Sequence, residues 1–134
     1  MLLLLFVAPV DEVYFVTQRD VSTDHHQLRS LNEVTLLQGT PGTLGCVSFG
    51  GYPVPEIAIY FGDLDLTHQF TLSHTLTMKG QLGLRIIYYR TERWTDQLTV
   101  SASDDGKRLT CVSTVSDTGS VNTTTKLLVT CEFS

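Results

Sequence analysis

The stretch Asp104-Asp105-Gly106-Lys107-Arg108-Leu109-Thr110-Cys111-Val112-Ser113-Thr114-Val115 decides the fold. An acidic pair and a glycine make a turn, and the residues after it alternate in polarity. Residues two apart in an extended strand point to the same face. Leu109, Cys111 and Val115 therefore face one way, and Thr110, Val112 and Thr114 the other. A cysteine at the centre of such a strand calls for a partner on a facing strand. Thr43-Leu44-Gly45-Cys46-Val47-Ser48 repeats the pattern, again with a leucine two residues before the cysteine. The two Leu-x-Cys strands look like the pinned centre of a two-sheet sandwich.

The sequence on either side supports an all-β chain. Ala8-Pro9 followed by Val10–Val16 reads as a first strand, because proline is tolerated at the start of an edge strand. Residues 17–32 are polar and without period, and they predict a long loop with His25 and His26 in its middle. Glu33–Leu37 is a short strand closed by Gly39-Thr40-Pro41-Gly42, a turn in which glycine frees the backbone and proline fixes it. A second breaker cluster, Gly50-Gly51-Tyr52-Pro53-Val54-Pro55, precedes the strand Glu56–Phe61. Residues 70–78 and 82–88 alternate as two further strands, and Arg90–Glu92 reads as a polar break before the strand that carries Trp94, Leu98 and Val100. Thr123–Cys131 closes the chain after a hairpin loop at Ser116–Ser120. Roughly eight or nine short strands with no helical period predict an antiparallel sandwich.

Composition bounds the function. The 134 residues carry a net charge of −5, and their nine Lys and Arg residues are scattered. That argues against nucleic acid and against an anionic membrane surface, both of which select clustered positive charge. No apolar run approaches the roughly 20 residues a spanning helix needs. Three cysteines without metal-ligand spacing favour a disulfide over zinc and an oxidising, extracellular compartment. Asn122-Thr123-Thr124 is an N-glycosylation sequon in a Ser/Thr-rich loop and agrees with that placement. Residues 1–6, within Met1-Leu2-Leu3-Leu4-Leu5-Phe6-Val7, read as a signal remnant or as the last strand of a preceding domain, with 7–134 forming one domain.

Three motifs in order then resemble the immunoglobulin superfamily: Gly39-x-x-x-x-Leu44-x-Cys46, Gly51-Tyr52-Pro53-x-Pro55-x-Ile57 and Asp104-Asp105-Gly106-x-x-Leu109-x-Cys111. The pattern is similar to the C2-type or I-set-like second domains of adhesion and co-stimulatory receptors, of the nectin-like and Beaten-path/Sidestep kinds, and covers about residues 8–131. The resemblance implies a two-sheet antiparallel sandwich of Greek-key topology, with Cys46 and Cys111 as the inter-sheet disulfide of strands B and F. It also implies that Leu98–Ala102 is strand E. The sequence departs from the family at two places. Ile59 stands where a tryptophan usually packs on the disulfide, and Trp94 is expected to supply some of the missing volume. Leu109 replaces the tyrosine usual two residues before the second cysteine, which favours a C2-like over a variable-type domain.

No nucleophile–base pair or carboxylate pair in a catalytic setting is present, so the chain is not expected to be an enzyme or to hold a cofactor or metal. Asp63, Asp65, Asp104 and Asp105 read as turn residues, with calcium as the alternative for the first pair. His25 and His26 read as a solvated loop. The expected function is that of an extracellular module of a cell-surface adhesion or recognition protein. It would bind a protein ligand, a receptor or a homophilic partner, or serve as a spacer beside neighbouring domains of the same kind. The alternative is a secreted immune-recognition protein that binds a microbial or glycan surface. Candidate binding residues are Tyr52, Pro53, Pro55, Tyr60 and Tyr89, since tyrosines anchor interfaces. Cys131, left over, is unpaired or forms an intermolecular bridge.

Overall fold

A computed structural model describes residues 7–18, 31–81, 84–116 and 118–131. Residues 1–6 and the histidines His25 and His26 lie outside the described residues, as do the expectations placed on them. Among the described residues nine strands run in chain order: β1 (Ala8–Val16), β2 (Glu33–Leu37), β3 (Gly42–Tyr52), β4 (Glu56–Phe61), β5 (Leu64–Asp65), β6 (Thr71–Gln81), β7 (Leu84–Leu98), β8 (Arg108–Val115) and β9 (Gly119–Thr130). They form two sheets, ordered β1-β3-β7-β6 and β2-β9-β8-β4-β5. Short 3-10 turns at Thr67–Gln69 and Ala102–Asp104 lie in two of the connections that cross between the sheets.

The alternation in the two Leu-x-Cys strands does what it predicts. Leu44, Cys46, Leu109 and Cys111 are all fully buried. The cysteines are bonded at a Cα–Cα distance of 6.5 Å across 65 residues of chain. Closing a loop of that length contributes about 4 kcal/mol in the chain-entropy picture. Around the bond lie Phe15, Ile59, Phe70, Val34 and Leu127, the interior of the sandwich. Beyond it, Ser48 and Ser113 share a buried hydroxyl–hydroxyl hydrogen bond of 2.7 Å, each serine two residues past its cysteine.

Four features differ from the sequence-based expectation. The sandwich is not purely antiparallel, because β2 runs parallel to β9, pairing Glu33 with Lys126 through Leu37 with Thr130. Arg90–Glu92 does not break a strand, since β7 continues for 15 residues from Leu84 to Leu98. The charges are carried on the outer face, where the Arg90 guanidinium lies 5.2 Å from the centroid of Phe49. The strand also ends at Leu98, and residues 102–104 form a 3-10 turn instead of the end of a strand.

Trp94 is the fourth, and its cause is a β-bulge. Leu44 pairs with Thr95 but Gly42 with Leu98, so one extra residue enters β7 between them. A bulge of this kind reverses which face the residues on either side present. Thr91, Arg93 and Thr95 therefore face the sandwich interior together with Leu98, while Trp94 lies on the outer surface of its sheet. There it covers Gly45, where a Cβ would sit 2.4 Å from the indole. Trp94 joins Val16, Val47, Phe49 and Tyr14 in a second apolar cluster. It does not replace the family tryptophan. Phe15 and Phe70, the largest fully buried side chains among the described residues, fill the interior around Ile59 instead.

Candidate binding surface

The sheets do not close on each other everywhere. On one side β4 and β6 are neighbours across the sandwich, and a groove of about 700 Å³ separates them. Val54, Pro55, Ala58 and Tyr60 line one wall, Leu72 and His74 the other. All six residues from Thr71 to Leu76 are exposed. Leu72 and Leu76 are 44% and 46% accessible, unusual for leucines on the inward parity of a strand.

Arg93 explains why the groove has a firm back. It sits opposite Cys46 on β7 and therefore points between the sheets. Its Nε donates to the carbonyl of Ile57 at 3.1 Å, and one terminal nitrogen donates to the carbonyls of Phe70 at 2.9 Å and Thr67 at 3.3 Å. A guanidinium presents several donors in a fixed fork, so one side chain binds the open edge of β4 to the turn that leads into β6. Thr67 continues the same work. Its hydroxyl accepts from the amide of Ile59 at 2.9 Å, and its own amide donates to Asp65 at 2.8 Å. Asp63 lies in the turn between β4 and β5, while Asp65 ends β5 and accepts from the Thr67 amide; both are exposed. Among the described residues no group of three or more His, Cys, Asp or Glu side chains could hold a metal.

The tyrosines singled out in the sequence lie on or beside this groove. Tyr60, half-buried, lines it from β4. Tyr52 stacks on Tyr89 with ring centroids 5.8 Å apart, and His74 meets Tyr89 edge-on at 5.7 Å. Pro53 is exposed after a cis peptide bond to Tyr52, whereas Pro55 is buried against Gly51. Leu72, His74 and Arg93 were not legible as part of a surface. Their placement depends on the edge position of β6 and on the bulge in β7, and neither leaves a compositional mark.

A second cleft of about 540 Å³ opens at one end of the sandwich, lined by Phe61, Leu64, Leu66, Leu98 and Lys107 among others. Its wall includes Asp104, which caps the adjoining 3-10 turn. The carboxylate accepts from the Ser101 amide at 2.9 Å and from Lys107 at 3.0 Å. Those contacts, the Ser101 amide first, hold its carboxyl below the ordinary aspartate value. Asp105 instead reaches sideways and accepts from the Val129 amide at 2.8 Å. Elsewhere, Asn122 and Thr124 of the sequon are exposed on β9, and Cys131 is a free, exposed thiol that donates to Gln38 Oε1.

No protein-family model and no curated protein matches this sequence. The structure is nevertheless similar to solved ones. It matches Rst D1-D2 with a TM-score of 0.56 and 18% identity, covering 74% of this chain and 45% of that one. The full ectodomain of mouse nectin-like molecule 4, Ig1-Ig3, matches with a TM-score of 0.51 and 15% identity, over 73% of this chain and 31% of that one. The tandem Ig repeats of Dlar match with 0.50 and 16%, over 90% and 48%. The fold shared with these structures is an immunoglobulin-like β-sandwich. This chain spans less than half the length of each of those structures.

Proposed function

We propose that residues 7–134 are an extracellular immunoglobulin-like module of a cell-surface recognition protein, acting by protein–protein contact without chemistry. The observation that carries this reading is the groove between β4 and β6, where Tyr60, Val54 and Leu72 stand around an opening backed by the Arg93 hydrogen bonds. A half-buried tyrosine and exposed aliphatic side chains, here bordered by Glu56, Asp65 and Arg93, combine the aromatic anchor and the polar surroundings found at interfaces. The buried disulfide fits an oxidising compartment. In the same reading Asn122 carries a glycan, and Cys131 is open to a bridge with a neighbouring domain or chain.

The test is binding of the folded chain, displayed multivalently, to cells of its source tissue, compared with Tyr60→Ala and Tyr52→Ala. Loss of binding in both variants with unchanged thermal unfolding supports the groove as the contact surface. Equal binding by all three refutes that surface. If excising the domain from a longer parent protein shortens its reach but leaves binding intact, the module is a spacer.

A further inference from the structure

An edge strand offers a row of unpaired amides and carbonyls, and folded proteins protect such edges with charges, prolines, bulges or brevity. Three of the four sheet edges here carry such protection. β1 has Pro9 and a bulge at Asp11, where Val10 pairs with Gly50 and Glu12 with Phe49. β2 is five residues long and β5 two. The stretch of β4 that β5 leaves uncovered is occupied by Arg93 at Ile57 and by Thr67 and the Leu66 amide at Ile59. β6 has no such device along Thr71–Met78, and a single lysine after it. It runs 11 residues without a register shift or a proline, and Lys79 is its only charged residue.

We propose that β6 pairs antiparallel with β6 of a second copy of this chain, about a twofold axis at His74, joining the two four-stranded sheets edge to edge. This deepens the reading of the chain as a binding module by naming one partner for the β6 side of its groove. The exposed segment Leu72-Ser73-His74-Thr75-Leu76 is what selects a copy of itself. Read in the opposite direction it keeps the same pattern: leucine, small hydroxyl residue, histidine, small hydroxyl residue, leucine. An isologous contact sets residue i against j and j against i. With His74 opposite the second copy's His74, each Leu72 meets the second copy's Leu76, and Ser73 meets Thr75. Directly opposite side chains in an antiparallel pair lie about 4.5–5.5 Å apart at Cβ, so both leucines, 44% and 46% accessible in the single chain, gain an apolar neighbour. Registers centred on Ser73 or Thr75 lose both leucine contacts. The net charge of −5 opposes association at long range, but no charged residue lies between Thr71 and Met78 to oppose it at the contact.

The experiment is cross-linking and sedimentation of the whole chain in a Cys131→Ser background, which removes the competing thiol. His74→Cys is expected to give disulfide-linked dimers under mild oxidation, while Ser73→Cys and Thr75→Cys give few. Leu72→Lys sets an ammonium against the opposing leucine and is expected to weaken sedimenting dimers at least about tenfold. The double variant Leu72→Lys/Leu76→Glu places opposite charges across the axis and is expected to recover them. Both positions are exposed, and unchanged thermal unfolding shows that each variant is folded. Equal cross-linking at positions 73, 74 and 75, or no rescue by the double variant, overturns the register and with it the proposal. A chain that stays monomeric at high micromolar concentration overturns the pairing. If Tyr60→Ala still abolishes cell binding in that case, the binding-module reading stands without it.

Discussion

At the scale of single residues, one buried polar pair meets across the interior beside the disulfide. Ser48 and Ser113 are both fully buried, and each is the other's hydrogen-bond partner. Replacing one by alanine strands a buried hydroxyl, which costs about 1–3 kcal/mol, whereas removing both takes away donor and acceptor together. We therefore expect Ser48→Ala and Ser113→Ala each to lower stability in urea, and the double variant to lose clearly less than the sum of the two. The parity that turns the cysteines inward turns these serines inward as well, so this contact was latent in the Leu-x-Cys pattern. Asp104 acts nearer the surface, half-buried in the 3-10 turn that it caps. Its carboxyl titrates below the ordinary aspartate value because the ionised form is hydrogen-bonded by Ser101 and Lys107 in the folded state. A depressed value stabilises above the unfolded pKa and ceases to as pH falls through the folded one. The urea midpoint of the native chain should accordingly decline below about pH 4, the ordinary aspartate range, and Asp104→Asn should flatten part of that decline.

At the scale of elements, the bulge in β7 governs what can and cannot be read from alternation. The inward faces of β3, β4 and β8 follow directly from leucine, isoleucine and cysteine at every second position, because nothing interrupts their registers around the disulfide. In β7 one inserted residue between Thr95 and Leu98 turns Trp94 out and Arg93 in. Hydrophobic periodicity counts residues, and a bulge adds one without changing composition. Counting by twos from Leu98 points Trp94 inward, which is why it is expected to fill the volume left at Ile59. The outward tryptophan makes a specific prediction, since Gly45 has no room for a methyl group beneath the indole. Gly45→Ala should displace the ring, redden its emission and cost about 1–3 kcal/mol through overpacking. The companion Trp94→Val should restore most of that loss if steric conflict with the ring is the whole cause.

For the whole molecule, the sandwich rests on one covalent bond and one continuous interior. Reducing Cys46–Cys111 should lower stability by about 4 kcal/mol, and denaturant unfolding with and without reductant measures it. The all-β class was legible because it depends on periodicity, and the facing cysteine strands because their motifs repeat, while the strand order around them was implied by the family resemblance. The groove was not, because it arises where two sheets diverge, and divergence is a property of their packing rather than of any one segment. The parallel pairing of β2 with β9 was hidden for a similar reason, being made between segments distant in sequence. That pairing also has a mechanical consequence. If tension were applied in opposite directions to Glu33 and Thr130, β2 and β9 would be drawn past one another along their length. Five residue pairs would then bear the load in shear at once instead of opening one after another. The 65-residue span between the bonded cysteines would be shielded from extension. A module so connected would hold its length under tension until a whole row of backbone hydrogen bonds gave way together.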